Sequence, residues 1–358
     1  MYEYNHGGNA AFESGQAHLL DLSASINPLG LPKGVAEAIS REIPNCVAYP
    51  DSLARALRAQ IAAFESVNAE WIFCGSGASD IIFLLPRAVK AQKVLITAPT
   101  FSDYERAAQS FGAQIIRHPL MATDNFALNQ SFLAAVAQEQ PDLIFICNPN
   151  NPTGQLIEVA LIEELLSHCQ QLGALVVVDE CFLDFAEQAG SYSSKMFVKK
   201  HPNVVILKAF TKLFSLPGIR LGYALCSDTS LLDSLYFHGA DWPVSNLAGV
   251  AGIAALADAE SFVKKTVSYV SEQRLIIESA LIKWGFKVFP AAANYVFLHN
   301  PYPFNLQAEL DKRGIRIRAC GNFKGLDNSY FRIAVATAAN NCQLLTAIEQ
   351  IINDNHLL

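Results

Sequence analysis

No stretch of this 358-residue chain is apolar for the roughly 18–20 residues that a membrane-spanning helix needs. No helical membrane anchor is therefore expected. The opening Met1-Tyr2-Glu3-Tyr4-Asn5-His6 has neither the basic start nor the apolar stretch of a secretory leader. The eight cysteines stand at 46, 74, 147, 169, 181, 226, 320 and 342, without one C-x-x-C pair, which argues against a zinc ribbon or a redox motif. Several lie in apolar runs and read as free buried thiols of a reducing compartment, so a cytoplasmic location is expected. The histidines show no H-x-x-x-H or H-E-x-x-H spacing, and no metal is expected. Positive charge is also short: the net charge is −7 with both signs interspersed. Nucleic acid and anionic membranes are thereby excluded as main partners. Repeats and low-complexity segments are absent.

Apolar residues are plentiful at 51%, enough for a large core. Five short runs are mostly apolar: 94–97, 143–147, 175–178, 204–207 and 221–225. Runs of this length read as strands buried on both faces. Helical patterns lie between several of them, for example 157–172, closed by Gly173. The alternation gives an α/β fold with a mostly parallel sheet. The last two runs are so close in sequence that part of the sheet is expected to be antiparallel. The final third reads as a smaller α+β unit. It has a long helical region from Asn246 to Trp284, strands at 295–298, 315–318 and 331–335, and a closing helix with Leu344, Ile348, Ile351 and Ile352 on one face. The expected boundaries are an N-terminal arm at 1–40, a large domain at 41–240 and a small domain at 241–358.

Ligands of open α/β sheets gather at the carboxyl ends of the strands, and each central run here ends in polar residues. Asn148-Pro149-Asn150-Asn151-Pro152-Thr153-Gly154 follows the second run, Asp179-Glu180 the third, and Lys208-Ala209-Phe210-Thr211-Lys212 the fourth. Cys74-Gly75-Ser76-Gly77-Ala78-Ser79-Asp80 marks a helix start. Each alone has a plain explanation. Asn-Pro-Thr-Gly is a good turn, Asp179 can cap a helix and Lys212 can be a solvated lysine. Gly75-Ser76-Gly77 lacks the third glycine of a dinucleotide fingerprint.

In this order, G-x-G-A-S, N-P-T-G, D-E, T-K and P-G-x-R-x-G resemble the pyridoxal-phosphate (PLP) enzymes of fold type I, aminotransferase class I/II, over nearly the whole chain. Thr211 to Gly222 is the most specific part. The resemblance implies a large domain with a mostly parallel sheet plus a smaller α+β domain. It implies that Lys212 carries PLP as a Schiff base and shuttles protons. Asp179 would keep the ring nitrogen protonated, and Asn151 would bond the ring oxygen. Ala78 and Ser79 at a helix start, with Thr211 and Arg220, would hold the cofactor phosphate. Phe101 would stack on the ring, and Tyr49 would reach the phosphate of a neighbouring subunit, which implies a homodimer with shared active sites. Three positions depart from relatives: Ala209 replaces a hydroxyl residue, Phe182 a tyrosine and Ala336 an arginine.

The fold does not select the reaction. His6-Gly7-Gly8-Asn9 and Ser23-Ala24-Ser25-Ile26-Asn27-Pro28-Leu29-Gly30 resemble the threonine-phosphate decarboxylases of the cobalamin pathway. That resemblance implies a phosphorylated amino acid substrate touched by His6, Gly8, Asn9, Asn27, Arg318 and Arg332. Arg318 would take the phosphate and Arg332 the carboxylate, each as a planar fork for an oxyanion. Alternation along a continuous strand puts Arg316 on the face of Arg318, so Arg316 stays a rival for the phosphate. The proton donor is either Lys212 or a water. The rival enzymes are a histidinol-phosphate-type aminotransferase and a serine-phosphate decarboxylase. A non-catalytic ligand sensor is disfavoured by Lys212, Asp179, Asn151 and Arg220.

Overall fold

A computed structural model describes residues 7–8 and 19–356. His6 and Asn9 lie outside the described residues. The chain enters through a two-residue strand, β1 (Leu20–Asp21). The main sheet then forms from β2 (Ile72–Gly75), β3 (Lys93–Ala98), β4 (Gln114–Pro119), β5 (Leu143–Cys147), β6 (Leu175–Asp179), β7 (Val204–Ala209) and β8 (Gly222–Leu225). Its order is β2-β8-β7-β6-β5-β3-β4. The five neighbours from β4 to β7 run parallel, and β8 pairs antiparallel with both β7 and β2. All five apolar runs are strands. β2 and β4 are additional. β4 is an edge strand whose residues are exposed or half-buried, so it lacks the apolar continuity of a central strand.

Helices cover both faces of the sheet, which is why β5 and β6 are buried at every residue. Val177 and Leu207 point to the layer of helices Ala78–Ala88, Ser102–Phe111 and Thr229–His238. Val176, Val178 and Ile206 point to the layer of helices Arg55–Glu65 and Val159–Leu172. Each such side chain contributes about 1.5–3 kcal/mol when fully buried. The strand order reverses between β5 and β3. A crevice therefore opens there at the carboxyl ends, between the segments carrying Phe101 and Asn151.

The last third contains β9 (Lys287–Phe289), β10 (Tyr295–His299), β11 (Ile315–Arg316), β12 (Arg318–Ala319) and β13 (Tyr330–Ala334). An antiparallel sheet of order β12-β13-β10-β9 packs with helix Ala259–Lys283 and the closing helix Ala338–Asp354. Leu344, Ile348, Ile351 and Ile352 are fully buried, as their shared face requires. β1 pairs in parallel with β11, so the arm is stitched to this unit.

Two expectations are corrected. The helical region from Asn246 is two helices, Asn246–Leu256 and Ala259–Lys283, bent by 76° at the break. The first packs on helices Val35–Glu42 and Arg55–Glu65 rather than on the small sheet. The strand at 315–318 is also two strands. Ile315–Arg316 pairs with the arm and Arg318–Ala319 pairs with β13. The ladder changes partner at the buried Ile317, so alternation cannot be carried from Arg316 to Arg318.

Candidate active site

A cavity of about 460 Å³ opens at the carboxyl ends of β3, β5, β6 and β7. Its wall includes Ala78, Ser79, Phe101, Asn151, Asp179, Thr211, Lys212, Arg220, Arg318 and Arg332. Ten residues singled out in the sequence, spread over 255 positions of chain (78 to 332), thus meet in one place.

Helix Ala78–Ala88 starts without a side-chain cap, which leaves its first N–H groups available. Gly77, at φ +87°, turns the chain into it, and a Cβ there would lie 2.7 Å from Arg220 Nη2. A Cβ on Gly222 would lie 2.7 Å from Gly77 C and closer still to Ala78 N. The P-G-x-R-x-G segment is therefore pressed against the helix start, with the Arg220 guanidinium beside the free amides. Ser79 Oγ donates to Asp103 Oδ2 at 3.1 Å, and Arg106 pairs with Asp103 Oδ1 at 2.7 Å.

In Asn148-Pro149-Asn150-Asn151, two asparagines serve the loop. Asn148 donates to Tyr192 O and accepts from the Ile157 N–H. Asn150 donates to Pro99 O and Thr153 Oγ1. Asn151 faces the cavity. Its Oδ1 accepts from Arg332 Nη1 at 2.5 Å, which leaves the amide Nδ2 as the group able to donate.

Asp179 ends β6. Its Oδ2 accepts the Tyr104 hydroxyl at 2.6 Å and its Oδ1 the Cys181 N–H at 3.0 Å. Tyr104 is fully buried, stacked on Phe145 and edge-on to Phe101. Burial and the neighbouring Asp179 carboxylate hold its hydroxyl far above the usual tyrosine range. It was missed from sequence. Its spacing from Phe101 was the available signal, because residues three apart at a helix start share a face.

Lys212 lies in the short helix Phe210–Leu213 after β7. It is half-buried. Desolvation pushes its amine down to about 8, and the Arg332 and Arg220 guanidinium charges act in the same direction. Its Nζ is 5.6 Å from the centre of the Phe182 ring, so an apolar face stands where relatives place a hydroxyl. Ala209 contributes only a methyl to the wall.

On the small-domain side, Arg318 and Arg332 are register partners of β12 and β13. Arg332 Nη2 donates to Ser23 O at 2.9 Å, and its guanidinium lies 5.0 Å from the Tyr295 ring centre. Arg318 donates to Ala319 O and Asn322 Oδ1 and sits 5.1 Å from the Phe323 ring centre. Arg316 is outside the cavity wall and pairs with Asp311 at 2.6 Å. Of the two arginines only Arg318 faces the cavity, because the ladder changes partner at Ile317. Ala336 is also off the wall, its N–H donating to Asn341 Oδ1.

Two residues expected at the substrate, Asn27 and Gly8, lie off the cavity wall. Asn27 does not line the cavity. Its Nδ2 donates to Leu213 O at 2.7 Å and Thr266 Oγ1 at 2.8 Å, and its N–H donates to Lys212 O. It clamps the lysine turn. Gly8 is exposed and off the wall, its N–H bonded to Ser23 Oγ at 2.9 Å, while Gly7 lines the cavity. Tyr49 is exposed and stacked on Trp242 with ring centres 4.3 Å apart, in a groove on the outer side of Arg220.

The described residues fit PLP. The glycine-lined turn gives an anion close access to backbone N–H groups and Arg220. A carboxylate, an amide donor and an amine of lowered basicity converge on the same cavity. The chain matches the profile of the family described as aminotransferase class I and II over residues 17–349. Threonine-phosphate decarboxylase of Salmonella typhimurium is 33% identical over 359 residues, covering 98% of each chain. The solved histidinol-phosphate aminotransferase of Clostridium acetobutylicum superposes with a TM-score of 0.88 at 30% identity, covering 94% of this chain and 100% of that one. The Sinorhizobium meliloti histidinol-phosphate aminotransferase, solved in complex with pyridoxal-5'-phosphate, shares the fold at a TM-score of 0.86 and 22% identity, covering 99% and 96%. The chain belongs to the aminotransferase class I and II family. It is a PLP-dependent enzyme.

Proposed function

We propose that this enzyme decarboxylates L-threonine O-3-phosphate to (R)-1-amino-2-propanol O-phosphate, a step of cobalamin biosynthesis. The observation that carries the reading is the pair Arg318 and Arg332, on adjacent strands and facing one cavity with Lys212, while Gly7, Ser23 and Ala24 of the arm complete the wall. Two fixed cations match a substrate with two anionic groups, a phosphate and a carboxylate. The likeness to threonine-phosphate decarboxylase supports the choice of reaction.

Bound PLP supplies a ring that accepts the electron pair left on Cα when one of its bonds breaks. Ala78 and Ser79, with Thr211 and Arg220, would hold its phosphate, Phe101 its ring face, Asp179 the ring nitrogen and Asn151 Nδ2 the ring oxygen. Lys212 would attach it. The protein's own residues then choose the bond. Arg332, held by Ser23 O and Asn151, would hold and orient the substrate carboxylate. Arg318 fixes the phosphate end. Phe182 and Phe323 exclude water from the wall. With its amine near 8, Lys212 can both take and return a proton near neutral pH; a bound water is the alternative donor to Cα.

We also propose a cytoplasmic homodimer. The exposed Val47, Tyr49 and Trp242 form an apolar surface near Arg220, where a second copy would complete the phosphate site with Tyr49.

The test is incubation with L-threonine O-3-phosphate and PLP, without a 2-oxo acid, read by CO₂ release and product mass. Release of CO₂ with the aminopropanol phosphate is expected. Amino transfer from histidinol phosphate to 2-oxoglutarate, without CO₂, would overturn the reading in favour of a histidinol-phosphate aminotransferase like the Clostridium relative. Comparing threonine phosphate with serine phosphate settles the side chain, because one methyl group separates them by about 1–3 kcal/mol in an apolar pocket.

A further inference from the structure

On the face of the main sheet opposite Asp179 lies a buried ionic cluster that the proposed chemistry does not use. Lys208 Nζ is 2.9 Å from Asp184 Oδ1, 3.8 Å from Glu65 Oε1 and 4.0 Å from Glu180 Oε2. Glu65 also accepts from Tyr223 Oη at 2.5 Å and from Lys195 Nζ at 2.9 Å. Glu180 accepts from Ser193 Oγ at 2.9 Å and from the Ser194 N–H at 2.6 Å. Lys208, Glu65 and Glu180 are all buried.

The members come from the segments that carry the site. Glu180 directly follows Asp179. Lys208 lies four residues before Lys212. Tyr223 is the register partner of Lys208 and directly follows Gly222. Because side chains alternate along a strand, Lys208 and Tyr223 project behind the sheet. Asp179, whose register partner is Leu207, projects in front. One cluster thus ties the ends of β6, β7 and β8 from behind, at the level where their front faces present Asp179, Lys212 and Arg220.

Stability alone is a poor reason to keep such a cluster. Desolvating buried ion pairs costs about as much as their attraction returns, and apolar replacements are often as stable. Burial works against the charge on Lys208, but Asp184, Glu65 and Glu180 outweigh it and keep the amine protonated. The hub is therefore a fixed cation that three carboxylates from two other segments must face.

We propose that Lys208, with Glu65, Glu180 and Asp184, is a positioning unit that sets the placement of Lys212 relative to Asp179. It acts on capture of the cofactor, whichever amino acid the enzyme takes. The test uses the full-length enzyme, stripped of PLP and reloaded. It compares Lys208→Met, Lys208→Arg and Asp184→Asn. Since Lys208→Met leaves buried carboxylates uncompensated, Asp184→Asn is the second probe; it removes the shortest contact at a partly exposed group. Readouts are the rate constant for PLP uptake, the pH midpoint of the bound cofactor's visible band, kcat and KM, and the melting temperature. Slower uptake by about tenfold and a midpoint moved by about half a pH unit are expected for Lys208→Met and Asp184→Asn, with KM little changed. Lys208→Arg should rescue most of the loss. Folded variants with wild-type uptake and midpoint, and only a lower melting temperature, would overturn the proposal. Because uptake and midpoint need no substrate, they stand apart from the question of which reaction follows.

Discussion

The P-G-x-R-x-G segment contains two glycines whose substitution should have opposite outcomes. A Cβ at Gly222 would sit 2.7 Å from Gly77 C and 3.1 Å from Ala78 Cα. Both are backbone atoms with no rotamer to yield. Ordinary contact begins at 3.4 Å, so Gly222→Ala must push the start of helix Ala78–Ala88 away by about 0.7–1 Å. An N–H···O bond of about 2.9 Å stretched by that amount no longer counts as one. A hydrogen bond to a charged group contributes about 1.5–3 kcal/mol. Losing one such bond to the cofactor phosphate should weaken PLP binding roughly 10- to 150-fold. Gly218→Ala is the control, since nothing lies within 4 Å of its added Cβ; it should leave affinity unchanged and add at most about 0.4–1 kcal/mol of stability. The assay is the PLP dissociation constant of the stripped protein by fluorescence titration, with denaturant unfolding of each variant. Wild-type affinity in a folded Gly222→Ala would refute the reasoning and place the cofactor phosphate away from this turn.

The Lys212 amine, lowered to about 8 by burial first and the Arg332 charge second, must be neutral to attack the PLP carbonyl. Uptake should therefore rise with pH and level off just above 8, where a solvated lysine would keep rising past about 10; stopped-flow absorbance reads this, and Arg332→Gln should move the midpoint upward. Tyr104→Phe deletes the 2.6 Å donor to Asp179 and should destabilise the cofactor-free fold by about 1.5–3 kcal/mol in urea unfolding; unchanged stability would mean that the carboxylate finds another donor. Asn27→Ala removes the bonds to Leu213 O and Thr266 Oγ1. It should cost about 1–3 kcal/mol of stability without raising KM, whereas a raised KM at wild-type stability would restore the substrate role that the sequence suggested.

What could be read from sequence follows the range of the forces involved. β5, β6 and β7 are buried on both faces, so their composition alone marks them, and the polar residues just beyond their ends mark the cavity. β4 carries Arg117 and His118 on an edge and gives no such signal. Spacing from Phe101 could place Tyr104 on the cavity face, but its bond to Asp179 spans 75 residues, and no local pattern names that partner. Asn27 shows a different limit. Its resemblance to a substrate motif was genuine as pattern, yet the asparagine is used to bond the lysine turn, because its neighbours form a tight turn that aims the amide at Leu213 rather than at the cavity.

The two arginines at 316 and 318 show why alternation rules fail at a domain junction. Alternation holds only while a strand keeps one partner. Here the arm takes Ile315–Arg316 into one ladder, and β13 takes Arg318–Ala319 into another. The chain must rotate between them, and the buried Ile317 is the pivot. That exchange sends Arg316 to Asp311 and Arg318 to the cavity beside Arg332. The same arm supplies Ser23 O to Arg332 and Gly7 to the wall. One strand exchange therefore brings Arg318 to the cavity, and the same arm holds Arg332, so the placement of both cations depends on the arm being docked.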